Sequence, residues 1–437
     1  MHLGWFLRLH PKMHLLIGPG FGRNGVRTTL LFAKPKKAIG IDIGTHSIKT
    51  VQMSRSGGRF RIDAAGYSLV DRNQLNVDPV GAQANAVREA IRHLSMDQSV
   101  IVGALPGQTV VIRYPRLPEM PEEAIGAAIE KEAGQHIPYD LSEVFLDWAL
   151  LDRVTEGNNK LLKTLLVAAK HEVIDSRVQI ADAADVHYNV VTVDSLALAD
   201  AAESCDFLRV GETVALVNIG LSSSSIHFVK DGVSSFIRDV NWGGRELIQA
   251  ISRSRRVDYD QAEKLLGSIA EMEPEEEPAP ESEEEEIPEI RVESRPPQGG
   301  ASLLDPFEEE PEESPGGRKG GRPSPVAAGE EAGKDLREVV TAPLSRLVSE
   351  VRRSFEYYEH ELYETAIDRL ILSGGVAHIP VLSEVLSEEL GLKAIEVANP
   401  AESALFLGDQ RAAAPLIQRP AQFMVAVGLA ARGMTEL

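Results

Sequence analysis

Ala38-Ile39-Gly40-Ile41-Asp42-Ile43-Gly44 decides how this chain is read, because its pattern returns as Val214-Ala215-Leu216-Val217-Asn218-Ile219-Gly220. Each stretch is an apolar strand running into a glycine, with a polar side chain two residues before it. After the first, Thr45-His46-Ser47 leads into a strand from Ile48 to Met53, and Gly57-Gly58 turns into another from Phe60 to Val70. After the second, Leu221-Ser222-Ser223-Ser224-Ser225 leads into a strand ending at Val229, and Asp231-Gly232 turns into Val233 to Val240. The copies superimpose with one constant offset, Asp42 on Asn218 and Gly44 on Gly220. Repetition on this scale predicts two related halves.

The turn has a chemical use. A glycine there lets backbone N–H groups face a concavity that no side chain fills, which makes an anion nest. Asp42, at the strand end, faces the same space and could hold a hydrated Mg²⁺, an ion that keeps several waters and takes one or two carboxylates plus phosphate oxygens. Asn218 in the second copy could reach that ion only through a water. Two facing turns would clamp a polyphosphate, with Gly44, Thr45, Gly220, Ser222 and Ser223 as contacts. Lys49 either neutralises phosphate or faces solvent. One copy alone reads more readily as an ordinary strand–glycine–strand turn; the pair favours phosphate. A third glycine turn, Ser373-Gly374-Gly375, follows an apolar strand from Ala366 to Leu372 and precedes a helix from Pro380 to Leu390, stopped by Gly391. Its bare backbone suits a purine face or an α-phosphate.

Composition limits the alternatives. The chain is 43% apolar and 25% charged, near globular averages, and carries a net charge of −21. Such acidity repels a phosphate backbone, and aromatics make up only 5%, so nucleic acid is not the expected partner. A single cysteine, Cys205, excludes an internal disulfide and any Cys-x-x-Cys metal site. No apolar run approaches the roughly 18 residues needed to span a bilayer, so the expectation is a cytoplasmic protein with no direct membrane insertion. Residues 271–333 hold twenty acidic against five basic side chains and eleven of the twenty-five prolines. They read as a disordered insertion, either a solvated loop or an acidic arm with a docking patch at Leu303-Leu304-Asp305-Pro306-Phe307. Residues 1–36, basic and free of acid, read as a flexible extension.

Asp-x-Gly, Asn-x-Gly and Ser-Gly-Gly, in this order, resemble the actin-like ATPase superfamily. Within it the chain resembles the PilM family of type IV pilus assembly proteins. The resemblance is carried by Ala38 to Lys49, Ala104-Leu105-Pro106-Gly107, Arg116-Leu117-Pro118, and Glu132-Ala133-Gly134-Gln135-His136-Ile137-Pro138. Val193-Asp194-Ser195-Leu196, Arg238-Asp239 with Gly243-Gly244, Ser373-Gly374-Gly375, Glu396 to Pro400 and Ala426 to Ala430 complete it.

The resemblance implies an α/β, actin-like fold with two ribonuclease H-like lobes. On that basis the chain divides into a 37–99 first part of lobe one, a small inserted α/β subdomain at 100–170, and the rest of lobe one at 171–208. Lobe two would occupy 209–270 and 334–437, on either side of the acidic insertion. It also implies ATP and Mg²⁺ as cofactors, and a single-span membrane partner, PilN, whose cytoplasmic tail lies in a groove beside the inserted subdomain. The protein would then sit with other pilus components on the cytoplasmic face of the inner membrane, through its partner. By the same comparison Gly243 and Gly244 join the nucleotide site, and Glu263 holds the ribose, although the lysine expected three residues later is Leu266. Asp194 stands where the family has a water-orienting Glu, or serves as a plain helix cap. Asn218 replaces the usual Asp. These departures imply a nucleotide that acts as a conformational clamp, with slow hydrolysis or none. The alternatives are an actin-like ATPase or sugar kinase with real turnover, and a GspL-like secretion platform component.

Overall fold

The computed structural model describes residues 36–56, 58–270, 335–362 and 364–435. The basic extension over 1–35 and the acidic segment, with its Leu303–Phe307 patch, lie outside the described residues.

The first lobe is built on a six-stranded sheet. Its centre is β1 (Lys37–Ile43), antiparallel to β2 (Ser47–Ser56), which is antiparallel to β3 (Arg59–Leu69). On its other side β1 runs parallel to β4 (Ser99–Leu105), and β4 parallel to β9 (Val190–Val193). The strands α/β packing covers on both faces are the ones with continuous apolar runs: Ala38, Ile39, Ile41, Val102, Val190 and Val191 are all buried. Between β3 and β4 come α1 (Arg72–Leu75) and α2 (Pro79–Ile91). Asp78 caps α2 by accepting from the Gly81 N–H at 2.9 Å, with Pro79 preset for the first helical position. Between β4 and β9 lie the inserted subdomain and α4 (His171–Ala183), and β9 runs straight into α5 (Asp194–Ser204).

The second lobe repeats the plan. β10 (Thr213–Ile219), β11 (Ser224–Lys230) and β12 (Val233–Val240) form the antiparallel meander, and β13 (Arg369–Gly374) and β14 (Ile395–Val397) add in parallel beyond β10. The duplication extends to register: Asp42 lies opposite Lys49, and Asn218 opposite Ser225, at the same offset. Helices α6 (Arg245–Arg255), α7 (Tyr259–Ala270), α8 (Leu336–Glu356) and α9 (Pro380–Leu390) pack on this sheet. Gly391 ends α9 in the left-handed region at φ +67°, a conformation glycine adopts without a Cβ penalty.

The inserted subdomain is a separate four-stranded sheet. β8 (Asn159–Lys170) pairs with β7 (Val144–Glu156) on one side, and on the other with β6 (Arg116–Pro118) and β5 (Val110–Arg113) in turn. Helix α3 (Glu122–His136) covers one face with Ile125, Ile129 and Ala133. The other face, through Ala149, Leu165 and Val167, packs on Val193 and Leu196 at the start of α5.

Two boundaries differ from those read in the sequence. The strand over 100–105 belongs to the main sheet: as β4 it pairs in parallel with β1, and it buries Val102 and Ala104 against Val425 and Leu429 on one face and Ile101 and Leu105 in the core on the other, so the insertion begins after it. The chain end also does not stay with the second lobe. β15 (Phe406–Leu407) joins the free edge of β3, and after α10 (Ala414–Gln418) the last helix, α11 (Met424–Gly433), packs on β1 and α5. Apolar burial drives this return, since every residue of α11 is buried.

Candidate functional site

Because the two meanders are related, their first turns face one another. Gly44 N–H closes its turn on the Ser47 carbonyl at 3.2 Å, and Gly220 N–H closes the matching turn on Ser223 at 3.0 Å. Across the gap Thr45 Oγ1 lies 3.2 Å from Ser222 Oγ, which also accepts from Arg245 Nη2 at 3.2 Å. Between the lobes is a cleft of about 320 Å³, within the lower part of the size range of small-molecule sites.

Of the residues singled out in the sequence, Asp42, Gly44, Thr45, Lys49, Asp194, Asn218, Gly220, Ser222, Ser223, Gly244, Glu263, Gly374 and Gly375 all line this cleft. Gly243 and Ser373 sit one layer behind. A Cβ on Gly243 would lie 2.5 Å from the Leu221 carbonyl oxygen, so the glycine lets α6 approach the second turn. Its neighbours then donate to that turn: Gly244 N–H to the Gly220 carbonyl, and Arg245 N–H to Leu221, both at 2.9 Å. Ser373 is buried and donates to Asn218 Oδ1 at 3.2 Å, which orients the amide. Gly374 has φ +98°, and a Cβ there would overlap Ile219, so the third turn closes directly against the second.

Lys49 does not face solvent. Its Nζ is 3.4 Å from Asp42 Oδ2, and both side chains are less than one-fifth exposed. Asp194 is not the helix cap: it is the first residue of α5, whose N-cap is Val193, and its carboxyl takes the Ser195 N–H at 2.6 Å and the Gly107 N–H at 2.9 Å at the edge of the cleft. Burial, with the nearby charges of Asp239 and Asp42, pushes its carboxyl up to about 7. Burial also lifts Asp239 to about 6, and its carboxylate lies against Gly107. Glu263 bridges the lobes: Arg72 Nη2 is 3.1 Å away and His46 Nε2 3.4 Å, while Arg72 also pairs with Asp260 at 2.7 Å and stacks on Tyr259 at 3.8 Å. Burial lowers the His46 pKa, so its contact with Glu263 is that of a neutral imidazole at neutral pH.

Sequence reasoning missed His46, Arg72, Gln83, Arg177, Asp239 and His378. Apart from His46, which sits inside the first turn, these residues lie outside the phosphate motifs and reach the cleft or its supports only through folding. Among the described residues no group of three or more His, Cys, Asp or Glu side chains is arranged to hold a metal. Asp42 is thus the single turn carboxylate available to a cation, a donor set that suits Mg²⁺ with retained waters.

The raised carboxyls give a pH prediction. A group whose folded pKa lies above its unfolded value stabilises the fold below the unfolded pKa and loses that contribution as pH rises through the folded one. For Asp194 and Asp239 the loss falls between about pH 4 and 7. Asp194→Asn keeps an acceptor for Gly107 but cannot ionise. It should melt close to the wild type at pH 4 and progressively higher as pH rises to 8, by more than about 4 °C there, as read by thermal scans at both pH values; equal melting at pH 8 would contradict the charge argument.

A family model described as type IV pilus assembly protein PilM matches residues 40–272 and 328–434, most of the chain. The chain belongs to this family. A solved structure described as the PilM-PilN type IV pilus biogenesis complex is similar over 91% of this chain and 99% of its own, at 21% identity and a TM-score of 0.67. More distant likenesses are the ethanolamine utilization protein EutJ from Carboxydothermus hydrogenoformans, at 15% identity over 91% of this chain and 90% of that one, TM-score 0.45. MreB 5 of Spiroplasma citri bound to AMPPNP is similar at 11% identity over 91% and 95%, TM-score 0.41. The two-lobed, actin-like architecture expected from the ordered motifs is the fold that this PilM family member has. Among its described residues no helix is long and apolar enough to cross a membrane.

Proposed function

We propose that this PilM family member is an ATP-binding scaffold of type IV pilus assembly, in which Mg-ATP clamps the two lobes and is hydrolysed slowly or not at all. The scaffold holds the cytoplasmic tail of a PilN-like inner-membrane protein, and through it sits with other pilus components at the cytoplasmic face of the inner membrane. One observation carries the nucleotide reading: the duplicated glycine turns meet across a single cleft, Thr45 to Ser222 at 3.2 Å. The solved PilM-PilN complex supports the partner.

The residues fit the cofactors in distinct roles. Asp42 would hold Mg²⁺ through its waters, the turn amides and Lys49 would meet phosphate oxygens, and Gly374 and Gly375 would give the purine a bare backbone wall. Glu263, now shared by Arg72 and His46, would exchange those partners for the ribose, linking nucleotide entry to the contacts across the cleft. A ligand closes the lobes only by its differential affinity for the closed state.

A second reading, an ATPase with real turnover, draws on Asp194: a carboxyl near neutrality beside the cleft is suited to accept a proton from water. Calorimetric titration with Mg-ATP, with and without a synthetic partner tail, separates the two when paired with a phosphate-release assay. The scaffold reading expects nucleotide binding, a tail affinity that depends on nucleotide, and little released phosphate. Turnover of several per second would replace it with the enzyme reading.

Asn218→Asp tests the metal balance. With Ser373 already donating at this position, a carboxylate there would accept from a metal-bound water as a charged group. Mg-ATP should bind roughly tenfold more tightly, the worth of about one charge-assisted hydrogen bond. Unchanged affinity would remove Asn218 from the metal site.

A further inference from the structure

The carbonyls behind the two turns are held at matching positions, by backbone in one lobe and by side chains in the other. In the second lobe Gly375 N–H donates to the Ile219 carbonyl at 3.0 Å, and Gly244 N–H to the Gly220 carbonyl at 2.9 Å. The equivalent carbonyls in the first lobe belong to Ile43 and Gly44. They accept from Arg177 Nη1 at 3.1 Å and from Gln83 Nε2 at 3.2 Å. Gln83 is on α2 and Arg177 on α4, and neither element is part of the repeated meander.

A peptide unit is planar and trans, so its C=O and the following N–H point in opposite directions. Holding the Gly44 carbonyl from α2 therefore turns the Thr45 N–H away from α2. Holding the Gly220 carbonyl from the start of α6 does the same for the Leu221 N–H. Thr45 and Leu221 both line the cleft. Each turn thus has one backbone amide, at equivalent positions along the repeat, whose direction is fixed by the group that holds the carbonyl before it.

We infer that Gln83 and Arg177 are the positioning residues of the first phosphate turn, doing with side chains what Gly244 and Gly375 do with backbone amides in the second. The inference rests on the nucleotide reading above and deepens it. It also gives the lobes different character. The second turn is held by main chain and cannot be released without moving α6 or the third turn. The first is held by two side chains that can let go while their helices stay in place.

The experiment uses the full chain, with Gln83→Leu, Arg177→Met and the conservative Arg177→Lys, each titrated with ATP, AMP and inorganic pyrophosphate in the presence of Mg²⁺. Melting temperature is measured alongside. Gln83→Leu and Arg177→Met should each weaken ATP and pyrophosphate about tenfold while AMP changes less than about twofold, and Arg177→Lys, which keeps a donor, should recover most of the loss. A purely structural role would lower melting temperature and weaken all three ligands alike, and that result overturns the inference. So does wild-type binding that the variants reproduce unchanged, which leaves the nucleotide reading standing. Wild-type protein that binds none of the three ligands takes down the nucleotide reading and the inference together.

Discussion

Gly428→Val should expel the C-terminal helix from the first lobe and cost about 3 kcal/mol or more. Gly428 lies in α11, where the helix crosses α5, and a Cβ there would overlap the Ala197 carbonyl and lie 3.0 Å from the Ala201 nitrogen. These are backbone atoms of a second helix, so no change of rotamer relieves the overlap. The two helices must separate, and with them the burial of Ala197, Ala201, Val427 and Leu429, all at or near zero exposure. The effect reaches the cleft, because α5 begins at Asp194. Nucleotide affinity should fall together with melting temperature. Gly126→Ala is the control: it is also helical, the atom nearest an added Cβ is Trp148 at 4.0 Å, and the change should stabilise by roughly 0.5–1 kcal/mol through backbone entropy alone. Equal melting temperatures for Gly428→Val and the wild type would show that the helix crossing is not a constraint.

Arg432→Met should be nearly as damaging, for an electrostatic reason. Arg432 Nε and Nη2 grip Asp200 at 2.6 and 2.9 Å, in a pair only 5% and 15% exposed. Burial already outweighs the guanidinium and raises the Asp200 pKa. Glu203 close by is pushed up to about 8, first by burial and then by Asp200, with Arg432 opposing. Removing the cation leaves a buried carboxylate unpaired, a loss of about 3–5 kcal/mol. The sign with pH is fixed: both carboxyls shift further upward, the native state favours their protonated forms, and stability falls as pH rises. Urea unfolding should therefore show a larger penalty at pH 8 than at pH 5. Asp200→Leu added to Arg432→Met should restore much of the loss, since a well-packed apolar pair removes the desolvation cost. A penalty independent of pH would mean that lost packing, not charge, is responsible.

Much of the fold was legible because it is local and repeated. Strand–glycine–strand turns have short-range causes: apolar runs that pair with their neighbours, and glycines where a turn needs them. Their duplication at one constant offset then implied two lobes, and the order of the three glycine motifs named the superfamily. Ser373 and Gly243 were recognised by pattern, yet their places behind the turns depend on how close the third turn and α6 come to the second, which no spacing along the chain reveals. The strand over 100–105 was misplaced for a similar reason. An apolar strand satisfies either of two neighbouring sheets, and its parallel pairing to β1 is a long-range choice.

The repeat, the glycine corners and the absence of a second acid at Asn218 could be had from residue order alone, since each depends on neighbours within a few positions. The return of α11 to the first lobe, the grip of Arg72 on Glu263 across the cleft mouth, and the support of the first turn by Gln83 and Arg177 could not. Those arrangements join residues far apart in the chain, and they exist because burying α11 and closing two sheets around one cleft brings their backbones within hydrogen-bonding reach.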